Sequence, residues 1–384
     1  MLNSKAEEKL EREIKEYFGA GHVFLVSSGK AALFLILSAL NRLTRKKKVV
    51  IPAYTCFSVP SAILLAGLEI VPCDIRPETL DFDFSQLTHL LDDDTLCVIP
   101  THLFGIPADV SKVRDACEKR NIFIVEDAAQ AMGVVGNRGK LGTSGDIGFF
   151  SLGRGKNITC GSGGIIITSE GAIAESLQKD HSEIYDVPTM EYVKNIVETV
   201  LLTVFLRPDF YWFPKSLPFL KIGETRFFPS FPVRKFTGFQ AGLLHDWRQK
   251  LERFQRGRSG TADFYIDNLD LSNALPIYAN GLPYNRFPVY LEGKVKKNYF
   301  CENGESLGIS PMYPLPVHEI EQIRKKFENR TFQGAEDVSN TLVTLPTHVY
   351  LKDKDRVRIL ELINGTDGIR QGSVDSTKRR ASYR

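Results

Sequence analysis

Short apolar runs, each closed by small or polar residues and most followed by a helical pattern, fill the first half of the chain and leave few folds open to it. His22-Val23-Phe24-Leu25-Val26 ends at Ser27-Ser28-Gly29, and similar runs stand at Val49–Ile51, Glu69–Val71, Leu96–Ile99, Ile122–Val125 and Ile165–Ile167. Between them, Lys30–Leu43, Val59–Leu65 and Val110–Lys119 carry apolar residues at helical spacing, and residues 4–18 read as a charged amphipathic helix. Strands this uniformly apolar are buried on both faces, which predicts a mostly parallel sheet between two helical layers. In such α/β folds ligands bind beyond the carboxyl ends of the strands.

A chain of 384 residues, 43% of them hydrophobic, exceeds one small core. We expect a large domain over 1–240 and a smaller C-terminal α+β domain over 241–364, with a helix at Gln240–Phe254, a strand at Val289–Leu291 and a closing helix near 353–363. Residues 365–384, rich in Gly, Ser, Lys and Arg, have nothing to bury and are expected to be disordered. With 49 basic against 46 acidic residues, the charge gives no sign of a nucleic-acid partner. The six cysteines show no CxxC spacing and Met1 is followed by a charged segment, so a cytoplasmic location is expected. No run approaches the roughly 20 apolar residues of a membrane-spanning helix.

Chemistry concentrates at three strand ends. Ser27-Ser28-Gly29-Lys30 turns into a helix whose free N–H groups can hold a phosphate, although Ser28 can equally be an ordinary helix cap. Glu126-Asp127 follow an apolar strand in small-residue surroundings, and a carboxylate there needs a cation or several donors. A protonated pyridine nitrogen would satisfy Asp127; capping of a following helix is the plainer alternative. Phe149-Phe150-Ser151 leads into the glycine-rich turn holding Lys156, whose amine can form an imine with an aldehyde if partly buried, or simply be a solvated surface lysine.

At these residues the sequence closely resembles the DegT/DnrJ/StrS family of sugar aminotransferases, collinearly from about Ser28 to Ile363. The resemblance is carried by Pro52-Ala53-Tyr54-Thr55, Asp74-Ile75-Arg76-Pro77-Glu78-Thr79-Leu80, His102-Leu103-Phe104-Gly105-Ile106-Pro107-Ala108-Asp109, Glu126-Asp127-Ala128-Ala129-Gln130 and Lys156-Asn157. Tyr313-Pro314-Leu315-Pro316-Val317-His318 and Leu345-Pro346-Thr347-His348 continue it. It implies the fold-type I architecture of pyridoxal-phosphate-dependent transferases and a homodimer, with an amino-acid donor, glutamate, and a nucleotide-linked keto sugar as acceptor. It also implies pyridoxal 5'-phosphate as cofactor, with Lys156 as the lysine that links to it, Asp127 at the pyridine nitrogen and Gln130 near the ring. Ser28, Gly29, Lys30 and Ser151 would hold the phosphate. Sugar dehydratases of the family carry histidine where this chain has Lys156, which favours transamination.

The chain departs from the family pattern at several places. Lys30 stands in place of a threonine, Ser162 of a glutamate, and Cys56 of a ring-stacking aromatic, for which Phe57 or Tyr54 is the expected substitute. Val233-Arg234-Lys235 replaces an asparagine-tyrosine-arginine segment that reaches the neighbouring subunit. Dehydration chemistry, or a non-catalytic membrane-associated role, therefore remains an alternative. Residues 190–232 read as an apolar insertion; within it 195–220 suits either a buried, subunit-packing flap or an interfacial helix on the inner membrane.

Overall fold

The computed structural model describes residues 2–118, 120–205, 227–269, 278–328 and 330–364. Residues 206–226 of the expected 190–232 insertion, and the expected disordered tail, lie outside them.

Seven strands form the main sheet: β1 (His22–Val26), β2 (Lys48–Pro52), β3 (Glu69–Cys73), β4 (Thr95–Val98), β5 (Phe123–Asp127), β6 (Ile147–Ser151) and β7 (Gly164–Thr168), in spatial order β1-β7-β6-β5-β4-β2-β3. Every pair is parallel except those made by β7, which runs antiparallel to both β1 and β6. Alternate side chains serve opposite faces. Phe24, Val26, Val49, Ile51, Val125 and Phe149 join the cluster under α2 (Gly29–Thr44) and α3 (Ser58–Leu65). On the other face, Leu25, Phe150, Ile165 and Ile167 pack with α1 (Leu2–Phe18). Val50, Val98 and Ile124 pack there with α4 (Phe84–Leu90) and α5 (Val110–Cys117). The expected three-layer α/β arrangement is what forms.

Farther along are α6 (Gly171–Glu183), α7 (Thr189–Phe205), α8 (Gly238–Leu243) and α9 (Trp247–Asn268). The single helix expected over Gln240–Phe254 is thus two. A Thr237/Gln240 capping box starts α8, and Asp246, with left-handed backbone (φ 56°), breaks the path before α9 begins. α9 runs past Gly257, where a Cβ would come within 2.5 Å of Val349 Cγ1, so the glycine permits the close packing. Trp247 and Leu251 of α9 pack beside α1, whereas Ala262 and Tyr265 enter a second apolar cluster. That cluster surrounds an antiparallel pair, β8 (Phe287–Tyr290) and β9 (Leu342–Leu345), with α10 (Gly293–Gly304), α11 (Gln333–Thr341) and α12 (Asp353–Asn364).

Polar clamps join this region to the main sheet. Asp74, just beyond β3 and buried, accepts from the backbone N–H groups of Gly334 (3.0 Å) and Ala335 (2.9 Å), capping α11 from outside. Gly334 must be glycine, because a Cβ would lie 1.9 Å from the Ile75 carbonyl oxygen. Removing the acceptor strands buried donors. Asp74→Ala is therefore expected to lower the unfolding free energy by about 3 kcal/mol, measured by urea denaturation, while Asp74→Asn, which keeps one oxygen, loses less.

Candidate active site

Because β1, β4, β5 and β6 point the same way, their carboxyl ends meet at one edge of the sheet, where a cleft of about 590 Å³ opens. Gly29, Lys30, Asp127, Gln130, Ser151 and Lys156 all line it. Residues from three separate stretches of sequence thus share one wall.

Adjacent carboxylates on β5 take different tasks because their side chains leave opposite faces of the strand. Asp127 faces the cleft and is 5% exposed. No helix follows it; its Oδ1 accepts from Ala129 N–H at 3.0 Å in a local turn, so the helix-cap alternative falls. Burial pushes its pKa up, against the opposing influence of the Ala129 N–H, Lys156 and His102. An acid in this state gains most from a cation brought to it.

Glu126 turns away and is fully buried. His102 Nε2 lies 2.8 Å from its Oε2, Gly142 N–H donates at 2.9 Å, and Ser144 and Gly145 N–H groups also donate to it. Ala108 N–H donates to His102 Nδ1 at 3.0 Å, which leaves Nε2 as the protonated nitrogen. Burial raises the Glu126 pKa, but His102 and the backbone donors outweigh it and hold the carboxyl below its ordinary value.

At the turn after β1, Ser28 caps α2: its Oγ accepts from Ala31 N–H at 3.2 Å. Ser28 is not on the cleft wall, so the plain reading of that hydroxyl is the one observed. Gly29 is on the wall, and a Cβ there would come within 2.9 Å of Ser151 Cβ. Lys30 projects its ammonium over the rings of Phe231 (4.7 Å) and Phe228 (5.4 Å), and burial lowers its pKa. This end of the cleft offers the N-terminus of a 16-residue helix, a hydroxyl from Ser151 and a lysine.

Phe57 does not line the cleft. It opens α3 with its ring in the main core, and its carbonyl accepts from Ser61 Oγ at 2.7 Å. Tyr54 is also buried elsewhere, donating to the Tyr313 carbonyl at 3.2 Å. Neither replaces the stacking aromatic; Cys56 itself faces the cleft, together with Val59 and Tyr313. Ser162 donates to the Ser27 carbonyl at 2.5 Å, away from the wall. Arg234 pairs with Ser27 through Arg234 N–H to Ser27 Oγ (3.1 Å) and Ser27 N–H to Arg234 O (3.0 Å). The Val233-Arg234-Lys235 segment thus lies along the end of β1 in the same chain.

Sequence reasoning gave no role to Thr101, His102 or Tyr313, although the last two sit inside motifs it singled out. Gln130 Nε2 donates to Tyr313 Oη at 2.7 Å, and Gln130 Oε1 accepts from Phe104 N–H at 3.1 Å, so the amide is held at both ends. Phe104 adopts left-handed backbone (φ 59°) to present that N–H. Thr101 Oγ1 lies buried on the cleft side with no partner among the described residues. These features fit pyridoxal phosphate: a buried acid for the ring nitrogen, a close-packed glycine and cation for the phosphate, a lysine for the aldehyde, and a spare hydroxyl.

The sequence model described as the DegT/DnrJ/EryC1/StrS aminotransferase family matches residues 1–364. GDP-perosamine synthase of Vibrio cholerae is 30% identical over 168 residues, covering 44% of this chain and 46% of that enzyme, so the match spans under half of the relative. The UDP-N-acetyl-3-dehydro-alpha-D-glucosamine 3-aminotransferase of Acidithiobacillus ferrooxidans is 24% identical over 93% of this chain and 87% of its own. Among solved structures, S. venezuelae DesV superposes with a TM-score of 0.73 at 22% identity, over 94% of this chain and 88% of its own, which shows a shared fold.

The Glu126 network sets an acid limit. Its folded pKa is depressed, so its stabilisation is complete above the unfolded value of about 4.3 and is lost as pH falls through the folded one. Glu126→Gln should lower stability by about 2 kcal/mol at pH 7, and urea unfolding curves should show the gap to wild type closing below about pH 4.

Proposed function

Because the chain belongs to the DegT/DnrJ/EryC1/StrS aminotransferase family, we propose that it is a pyridoxal-phosphate-dependent aminotransferase that moves an amino group from glutamate to a nucleotide-linked keto sugar. The placement of Lys156 and a burial-strained Asp127 in one cleft, with Lys30 and Ser151 at its phosphate end, carries this reading. The names of the Vibrio and Acidithiobacillus relatives support a nucleotide-sugar substrate; surface polysaccharide or glycoconjugate synthesis is the destination included in this proposal.

When bound, pyridoxal phosphate supplies an electron sink for the carbanion formed as the amino acid loses its proton. Asp127 would hold the ring nitrogen protonated, and the low-dielectric surroundings that raise its pKa strengthen that attraction. Lys156 Nζ would carry the proton between substrate and cofactor carbons, as general base toward one and then general acid toward the other, in each half of the transfer. The backbone N–H groups of Gly29 and Lys30, Ser151 Oγ and the Lys30 ammonium would bind the phosphate; Ser28 Oγ, spent on its cap, would act only through the helix it starts. Gln130, fixed by Phe104 and Tyr313, would keep the ring from tilting.

The same reading includes a homodimer and a division into a cofactor-binding part, 1–240, and a small part, 241–364, bridged by α9. Among the described residues no helix is long and apolar enough to cross a membrane. Met190, Val193 and Val197 on α7 are exposed, which supports packing against a second subunit more simply than contact with a membrane.

Incubation with pyridoxal phosphate, borohydride reduction and peptide mapping should place the reduced adduct on Lys156, and Lys156→Ala should carry none. Asp127→Asn is expected to keep the adduct but lose about 100-fold in kcat. A product sugar lacking the donor's nitrogen would replace transamination with dehydration; an adduct elsewhere would end the cofactor assignment.

A further inference from the structure

We propose that Arg258 and Asn285 are positioning residues that latch the backbone of the turn carrying Lys156 to α9 and the start of β8. The inference rests on the role proposed for Lys156. Within the turn, Lys156 N–H makes only a long bond, 3.4 Å, to Gly153 O, and Gly155 takes left-handed backbone (φ 74°). Its outward carbonyls are held from the other part of the chain: Arg258 Nη2 donates to Lys156 O at 3.0 Å, and Asn285 Nδ2 donates to Gly155 O at 3.0 Å. The two latch residues are themselves joined, with Arg258 Nη1 donating to Asn285 O (2.8 Å) and to Asn285 Oδ1 (2.6 Å).

Both side chains are buried, Arg258 at 6% and Asn285 at 5% exposure. Among the described residues no carboxylate pairs with Arg258, so a buried guanidinium is satisfied wholly by carbonyl and amide oxygens. Burial, aided by Arg286, lowers its pKa to about 10, which leaves it charged at neutral pH. A guanidinium is a rigid planar fork, so gripping Lys156 O and Asn285 together fixes direction as well as distance. A lysine ammonium, with its three N–H donors on one rotatable atom, lacks that fixed fork and aligns the two acceptors less well.

The latch also reaches the opposite wall. Asn285 N–H donates to Phe104 O at 2.7 Å, and Phe104 N–H is the donor that fixes Gln130. One line of hydrogen bonds thus sets the lysine turn and the Gln130 amide relative to each other. An error of about 1 Å in such an alignment can slow a reaction about 100-fold without weakening binding.

Hydrogen–deuterium exchange of the cofactor-free protein tests this directly. In Arg258→Gln, and in the milder Asn285→Ala should the first not fold, exchange over 153–158 is expected to rise about tenfold while β7 is unchanged. In the cofactor-loaded protein the same variants should lose about 100-fold in kcat with the donor KM within about twofold. Arg258→Lys should recover part of both. Unchanged exchange over 153–158, or equal acceleration there and in β7, overturns the latch. A wild-type protein that links pyridoxal phosphate at Lys156, with variants of wild-type kcat, overturns the positioning role alone. A wild type that forms no such link overturns the proposed function and the positioning role together.

Discussion

Burying a sheet of uniformly apolar strands on both faces is the constraint from which the rest of this structure follows. Helices must cover Phe24, Val49 and Val125 on one side and Leu25, Val50 and Ile124 on the other, so the connections travel over the faces and the polar ends of the strands collect at one edge. Asp127, Ser151 and the Ser28-Gly29 turn are brought together by that geometry rather than by local sequence. The antiparallel β7 closes the edge: Gly164 faces Val26 and Ser151, and a Cβ on it would lie 2.3 Å from the Ser28 carbonyl oxygen.

The elements most legible in sequence were those whose pattern repeats. The strand at His22–Val26 and the helix after Gly29 form where period and end signals place them, while the strand expected at Ile122–Val125 forms over Phe123–Asp127 and takes in both carboxylates. Asp127, Lys156 and Gln130 stood out because polar residues at the ends of apolar strands are few. What escaped depends on direction rather than composition. Nothing in Cys56-Phe57-Ser58 says which side chain turns toward the cleft, and the onset of α3 there sends Phe57 into the core. Ser28 shows the converse: the residue type was right for the turn, but its hydroxyl went to the cap. Arg258 and Asn285 gave no signal, since a buried arginine held only by carbonyl oxygens has no motif and its contacts cross more than 100 residues of chain.

The two acidic residues of β5 show how little the sequence distance between groups says about their chemistry. Glu126 receives donors from His102 and three backbone amides and is stabilised as an anion. Asp127, one residue on, has a single N–H donor among the described residues and a raised pKa. The first is a structural tie between β5, the His102 turn and the loop at Gly142–Gly145; the second is left short of positive charge on the side that faces the cleft.

That shortage bears on the life of the protein as well as its chemistry. An ionised Asp127 weakens the empty fold, and a cationic ring that neutralises it strengthens the fold by mass action. Newly made chains without the ring would spend more time open to proteolysis than filled ones. On the proposed function, filled and empty chains would then differ in how long they persist as well as in what they catalyse.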